Sequence, residues 1–572
     1  MASKHYETDV LIIGAGGAGL RAAIAARDEG VRVLVVCKSL LGKAHTVMAE
    51  GGIAAAIGTV NHQDNWEAHF RDTMVGGKFL NNWLAAEIHA KEAPQEVIQL
   101  EHWGALFDRT DDGYMMQRIF GGHTYPRLVH VGDRTGLELI RTLQDTAVAR
   151  NIDVLMEYTI AKIVVHDGVA IGALGYARAT GELIDISAGA IIIATGGAGM
   201  LYSVNSNSWE GTGDGQALAL QAGAELTDME FVQFHPTGMV APSSVRGLLV
   251  TEAVRGEGGI LLNAKGERFM KRYDPKRMEL STRDVVARAI YTEVQEGRGS
   301  PNGGAYLTIA HKPANFIRHK LPSMYNQFSS FAGVDITREA MEVFPTTHYA
   351  MGGIRVDPST SETSIPGLYA VGEAAAGLHG ANRLGGNSLS DLLVFGRRAG
   401  NAAATRARQQ TPALLPADIV EATEAQLLTP LRSKSGETPA AILSELGETM
   451  MKNVGVFREE RGLRDALSRL DTLRKRSDHL SVPGSIVYNP GWHSAVHLSG
   501  MIELATTIAR SALVREESRG AHTRMDYPKI VPEFQELNTV AMRQPDGTIA
   551  IQFTRRPAMP ERLSALLAGA MK

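Results

Sequence analysis

The stretch Asp9-Val10-Leu11-Ile12-Ile13-Gly14-Ala15-Gly16-Gly17-Ala18-Gly19 decides the fold. Asp9 to Ile13 reads as a buried strand, Gly14 to Gly19 as a tight turn, and Ala18 to Glu29 as a helix of small residues. Val31 to Val36 reads as a second buried strand. This strand–turn–helix–strand order sets a pyrophosphate on the N-terminus of a helix, where unpaired N–H groups and the helix dipole favour an anion. A glycine fingerprint alone is a weak signal, but here it has the required strand before it and helix after it. One part of the pattern departs. The acidic residue that binds a ribose after the second strand is missing, and Cys37-Lys38-Ser39 stands there instead, which disfavours an ordinary NAD site.

Outward from this unit, glycines recur in clusters at Gly51-Gly52, Gly121-Gly122, Gly196–Gly199, Gly211–Gly215, Gly256–Gly259, Gly352-Gly353 and Gly385-Gly386. Such clusters allow the backbone to approach a large ligand closely. Ala190 to Thr195 is an apolar strand ending in Gly196-Gly197, and Gly367 to Val371 is another, ending in Gly372-Glu373. Both look like the later nucleotide-facing strands of flavoproteins with two dinucleotide-binding folds. The fold class expected is α/β, with a two-dinucleotide-binding-fold FAD domain, an inserted α+β capping domain, a C-terminal helical domain and a small C-terminal tail domain. The FAD-binding domain is expected over residues 1–234 and 346–410, the capping domain over 235–345, the helical domain over 411–516 and the tail over 517–572. Leu463, Leu467, Leu470 and Leu473 recur at helical spacing in the third of these and read as core. Pro545-Asp546-Gly547 reads as a turn in the tail, before a strand-like Thr548 to Phe553.

Composition narrows the classes. The chain has 572 residues, too many for one core, and a net charge of -4, which gives no support for nucleic-acid binding. No stretch is apolar enough to span a bilayer, and Met1 to Asp9 has neither signal-peptide nor transit-peptide character, so a cytoplasmic chain is expected. The single cysteine, Cys37, excludes an intramolecular disulfide and an iron–sulfur cluster held by this chain's thiolates alone. No metal site is expected.

The chemistry lies in a series of separated segments. Gly42-Lys43-Ala44-His45-Thr46-Val47-Met48-Ala49-Glu50-Gly51-Gly52 places an imidazole next to the dinucleotide fold. Gln233-Phe234-His235-Pro236-Thr237-Gly238, Thr251-Glu252-Ala253-Val254-Arg255-Gly256-Glu257, Thr282-Arg283-Asp284, Thr347-His348-Tyr349-Ala350-Met351-Gly352-Gly353 and Gly380-Ala381-Asn382-Arg383-Leu384-Gly385-Gly386-Asn387-Ser388-Leu389 follow in order. In wording and order these resemble the flavoprotein subunit of succinate dehydrogenase and fumarate reductase, the complex II family. The resemblance runs from about Tyr6 to the last residues and is weakest after about Tyr527.

The resemblance implies a role for each matched position. His45 would be bonded covalently to the FAD ring. Gly14, Ala15, Gly16, Gly17, Ala18 and Gly19 would hold the pyrophosphate. Cys37, Lys38, Ser39, Ala44, Thr46, Ala49, Glu50, Gly51 and Gly52 would run along the cofactor, with Asp214 and Glu373 as cofactor-contacting acids and Ser388 and Leu389 against the ring. His235, Thr251, His348 and Arg383 would bind a dicarboxylate, with Arg383 also beside the cofactor. Arg283 would transfer the proton, with Glu252 and Arg255 as its relay. Elementary chemistry asks for such a set. Succinate and fumarate are dianions, and a guanidinium grips a carboxylate bidentately where an ammonium cannot. Histidines donate to carboxylates without adding a fixed charge at every pH. Arg283 alone would read as a surface or salt-bridge arginine. His62, His69, His89 and His102 keep an ordinary structural reading, and His123 is given no role.

The function this implies is a succinate dehydrogenase catalytic subunit interconverting succinate and fumarate. Its partners would be an iron–sulfur subunit together with one or more membrane anchor subunits, placing it peripherally on the cytoplasmic face of the inner (plasma) membrane. The segment Glu517 to Arg524 resembles the family's stretch near the iron–sulfur subunit, where the simpler reading is a solvated charged turn. Glu50 stands where fumarate reductases of the family more often carry Glu and succinate oxidases Gln, so fumarate reduction remains an alternative direction. L-aspartate oxidase is the nearest rival enzyme. Gly238 and the run Leu384 to Asn387 follow the complex II pattern rather than the aspartate oxidase one. A silent FAD-bound structural subunit is disfavoured because His235, Arg283, His348 and Arg383 are all present.

Overall fold

The computed structural model describes residues 3–568. Its centre is a seven-stranded sheet in the order Asp153–Met156, Val33–Cys37, Lys4–Ile13, Leu183–Ile193, Val169–Ala177, Tyr158–His166, with Leu368–Ala370 also paired to Leu183–Ile193. The strand read at Asp9 to Ile13 begins earlier, at Lys4, and pairs in parallel with Val33–Cys37, Val10 opposite Val33 and Ile13 opposite Val36. Leu183–Ile193 does two jobs. Its first half pairs antiparallel with Val169–Ala177, and its last residues, Ile191 to Ile193, pair in parallel with Leu368 to Ala370. The turn at Gly14, the end of Ile193 and the end of Ala370 therefore come to one edge, where the carboxyl ends of parallel strands open a crevice.

The helix Gly17–Asp28 covers one face, and the 21-residue helix Asn387–Ala407 packs across it. Glycines make that approach possible. A Cβ on Gly400 would stand 2.4 Å from the Ala22 carbonyl oxygen, and one on Gly396 would stand 2.9 Å from that of Ala18.

A second sheet, in the order Val232–Met239, Met341–Ala350, Ala305–Thr308, Ile260–Leu262, has its own core around Met239, Leu261, Phe269, Ile290 and Val343. Its first two strands pair antiparallel with His235 opposite Thr346 and Phe234 opposite Thr347. The chain thus leaves and re-enters the first half through neighbouring strands, which brings His235 and His348 together.

Four helices, Ala417–Arg432, Pro439–Asn453, Glu460–Ser477 and Pro490–Val514, follow. Leu463, Leu470 and Leu473 are buried between them and Leu467 is partly buried, as their spacing predicts. The tail forms the hairpin Leu537–Arg543 and Ile549–Arg555, turning through Pro545 to Gly547. It extends a sheet with Leu226–Thr227 and Gly353–Ile354, so it closes on the front half of the chain. No helix among the described residues is long and apolar enough to cross a membrane.

Candidate active site

One cleft runs from the turn at Gly14 to Arg283. At the first end the backbone is shaped for a ligand. Gly14 has φ +115°, and a Cβ there would stand 2.2 Å from the Ala194 carbonyl oxygen. A Cβ on Gly17 would stand 2.7 Å from Leu392, while the Gly17 amide donates to the Thr46 hydroxyl at 3.3 Å. Gly16 has no protein atom closer than 3.4 Å to a would-be Cβ, so its bare backbone leaves the cleft floor open. Glu373 overhangs Gly197 so closely that a Cβ there would lie 2.1 Å from its carboxylate. Burial pushes the Glu373 carboxyl up to about 7, although the Ala350 amide donates to it at 2.9 Å. Such a group is expected to find its partner in the ligand. The Thr195 hydroxyl and one Glu210 carboxylate oxygen are buried without a protein partner beside the cleft. A glycine cradle, a helix start and unpaired acceptors fit a dinucleotide such as FAD.

Lys38 donates to the Glu210 carbonyl and the Thr212 hydroxyl and pairs with Asp214 at 2.7 Å. Asp214 also meets His497 at 3.1 Å. Burial alone would raise its carboxyl, but His497 and Lys38 prevail and hold it far down. The Cys37 thiol donates to the Ser39 carbonyl, and burial raises it to about 11, so it is no nucleophile.

His45 opens a short 3-10 turn, His45–Met48, and lines the middle of the cleft. Its Nδ1 accepts from the Ser208 amide at 3.3 Å, which leaves Nε2 for another partner. Burial, then Arg383, lowers its imidazole to about 4, so it is neutral at physiological pH.

At the far end, Arg383 donates to the Ser388 hydroxyl at 2.8 Å and to the Gln233 side-chain carbonyl at 3.1 Å. Arg283 donates to the same Gln233 oxygen at 3.2 Å and to Glu252 at 2.8 Å. Arg255 lies 3.6 Å behind Glu252 and donates to the Glu279 carbonyl at 2.7 Å. Burial raises the Glu252 carboxyl, but Arg283 and Arg255 outweigh it and hold it down at about 2. His235 Nδ1 donates to the Thr237 carbonyl at 3.0 Å, and His348 Nδ1 pairs with the Ser206 hydroxyl at 2.8 Å. The two rings are 5.1 Å apart, and His348 is 6.3 Å from His45. Burial, then neighbouring cations, lowers His235 well below the usual imidazole range, and burial, then His235 and Arg383, does the same to His348. Both are therefore neutral hydrogen-bonding groups. Burial and the nearby Asp133 raise the Glu50 carboxyl well above the usual carboxylate range, beside the Thr251 hydroxyl.

The cleft gathers every residue expected from the sequence except two. Gly19 sits behind the turn, where a Cβ would be 1.9 Å from the Gly14 carbonyl oxygen, and serves helix–strand packing. Arg255 is fully buried behind Glu252. Sequence reading gave no role to Gln233, although it lies two residues before His235. Its amide donates to the Asn382 side chain and the Arg383 carbonyl, both at 2.9 Å, while its oxygen takes both arginines. His69 and His89, read as ordinary structural histidines, and His123 are structural here. These are buried, with Nε2 on the Asn387 side chain at 2.9 Å, the Ser390 hydroxyl at 2.8 Å and the Gly385 carbonyl at 2.7 Å, so all three hold the turn that carries Ser388 and Leu389. Nothing local in the sequence signals this, because the partners are 262 to 318 residues away.

A glycine-cradled cleft ending in a cluster of buried arginines and histidines defines an FAD-dependent oxidoreductase. Residues 9–389 match the FAD binding domain family, and residues 443–563 match the fumarate reductase flavoprotein C-terminal family. The chain is 48% identical over 536 residues to one of the subunits of fumarate reductase (CoM/CoB) from Methanothermobacter marburgensis, covering 94% of this chain and 97% of that one. It is 50% identical to Mycobacterium smegmatis Sdh1 in complex with UQ1, with a TM-score of 0.90 over 100% of this chain and 97% of the other. A variant of E. coli quinol fumarate reductase FrdA superposes with a TM-score of 0.92 at 36% identity, over 97% and 98% of the two chains. The chain belongs to the succinate dehydrogenase and fumarate reductase flavoprotein subunit family.

Proposed function

We propose that this chain is the catalytic subunit of a complex II enzyme that interconverts succinate and fumarate on a covalently held FAD. The observation that carries the reading is the meeting of Arg383, Arg283, Glu252, His235 and His348 at the end of the cleft that His45 lines. When bound, FAD would supply the hydride acceptor and donor. The chain's residues do the rest. Arg383, with the neutral His235, His348 and Thr251, would take the two carboxylates of the substrate. Arg283 would move the proton on the substrate carbon, and Glu252, ionised and 2.8 Å away, would pass it on through Arg255. Gly14 to Ala18, Lys38, Asp214, Glu373, Ser388 and Leu389 would hold the cofactor, and Gly19 would act by shaping the turn.

His45 is suited to covalent attachment because it is neutral and its Nε2 is unspent. With Cys37 as the one cysteine, electrons would leave through an iron–sulfur subunit, and a membrane anchor would tie the complex to the inner face of the membrane. The relatives carry both names, succinate dehydrogenase and fumarate reductase. The purified complex should be precipitated in acid and this chain searched for flavin fluorescence. Flavin retained on the peptide holding His45, with succinate–fumarate turnover, is expected. Flavin released entirely, with aspartate oxidised to give hydrogen peroxide and succinate untouched, would reverse the reading. Assays of both directions with low- and high-potential quinones decide direction.

A further inference from the structure

Arg383 is 3% exposed, yet among the described residues no carboxylate lies within 4 Å of its guanidinium. Its charge is met instead by neutral groups, the Ser388 hydroxyl, the Gln233 carbonyl and the face of Tyr349, whose ring centroid is 4.2 Å away. Nε has no partner. A carboxylate in this place would cancel the charge that a dicarboxylate must find, whereas a π face stabilises a cation and leaves its charge outward. Tyr349 is itself held from behind. Its hydroxyl pairs with His379 Nε2 at 3.1 Å, the two rings meet edge to face at 82°, and Asp391 stands 3.8 Å from the same nitrogen. Tyr349 lines the main cleft, while His379 and Asp391 line a second cavity on the other side. The aromatic ring is thus a partition with Arg383 on one face and an anchor on its far edge.

We infer that Tyr349 is a positioning residue for substrate binding: its ring fixes the plane of the Arg383 guanidinium and keeps that cation dry and unpaired for a dicarboxylate, with His379 fixing the ring. The inference rests on the reading of Arg383 as a substrate ligand. Burial, then the nearby Arg283, lowers Arg383 to about 9.

The test is made in the assembled complex with Tyr349→Phe as reference and a series of ring-fluorinated phenylalanines at the same position. Fluorine withdraws charge from the ring face while nearly preserving its shape. KM for fumarate and for succinate should climb stepwise with fluorination, by about fivefold to thirtyfold for the fully fluorinated ring. kcat, flavin content and melting temperature should change little. The alkaline rise in KM should begin at lower pH as the ring weakens. A KM independent of fluorination would overturn the inference, as would a fall in kcat with KM unchanged. Tyr349→Leu, where it folds, should raise KM at least as far as the fully fluorinated ring, and a smaller rise also counts against it. Arg383→Gln in parallel separates the two readings. If it leaves KM unchanged, Arg383 is no substrate ligand. If it raises KM while fluorination does nothing, only the role of Tyr349 falls.

Discussion

Gln233 shows how much one neutral oxygen can decide. Two guanidiniums donate to it, and its own amide is pinned by two acceptors, so it holds Arg283 and Arg383 at a fixed spacing without adding charge. A carboxylate there would bind both cations more strongly and make Arg283 a poorer proton donor and acceptor. Gln233→Glu should therefore lower kcat by about ten- to a hundredfold, within the usual range for a misplaced general acid–base, and move the optimum of the pH–rate profile to higher pH. Gln233→Leu should lower kcat without that displacement. Arg283→Gln should remove proton transfer itself, with a loss of about 10²- to 10⁴-fold in both directions. Binding of a dicarboxylate, followed by the flavin absorption change, should persist because Arg383, His235 and His348 remain. Loss of binding and turnover together would mean that Arg283 is mainly a substrate ligand. Arg283, Arg383 and His235 were legible from the sequence because they stand in distinctive strings. Gln233 was not, because a glutamine's role depends on what its amide meets.

At the scale of elements, the long helix Asn387–Ala407 begins with Ser388 and Leu389 in the cleft and then packs on Gly17–Asp28. The glycine fingerprint revealed the shorter helix. The longer one's partner was hidden, because Gly396 and Gly400 are local punctuation until Ala18 and Ala22 are brought against them. Gly400→Ala would put a Cβ 2.4 Å from a backbone carbonyl oxygen, which cannot rotate away. The helices must part, at a cost of about 1–3 kcal/mol. The variant should melt several degrees lower and lose FAD more readily, since one helix carries the turn at Gly14–Gly17 and the other carries Ser388. Unchanged melting and flavin retention would show that the two helices slide freely. The closing sheet was equally hidden in part. The tail's turn and second strand are readable at Pro545 to Phe553, but the pairing of Leu537–Arg543 with Leu226–Thr227 joins positions some 310 residues apart and leaves no local mark.

Across the whole molecule, histidines are buried both at the cleft and away from it. Burial lowers His123 to about 4 and His89 to about 3, and it drives His69, His235, His348 and His522 down as well. In the folded chain His123 and His89 are neutral at pH 6, and the other four are shifted the same way. In the unfolded chain they take up protons below about 6.5. Between that value and the folded ones the unfolded state binds more protons, so stability rises with pH and is lost as pH falls from about 6.5 toward 4. Carboxyls that burial holds up, Glu50, Asp228 and Glu373, act in the opposite sense over part of that range, and the histidines outnumber them. Glu252, held at about 2, contributes stability that is present above about 4.5 and is lost only as pH falls further. The expected result is a melting temperature of the holoenzyme that is flat above pH 7 and falls steadily from pH 6.5 to 5. His45 should contribute little to that slope once it is joined to flavin. His89→Gln keeps a donor for the Ser390 hydroxyl and removes one titrating ring. It should make the slope shallower while leaving turnover near pH 7.5 intact. If the variant's slope equals the parent's, His89 is protonated in the folded state at these pH values, and acid sensitivity must come from elsewhere in the molecule.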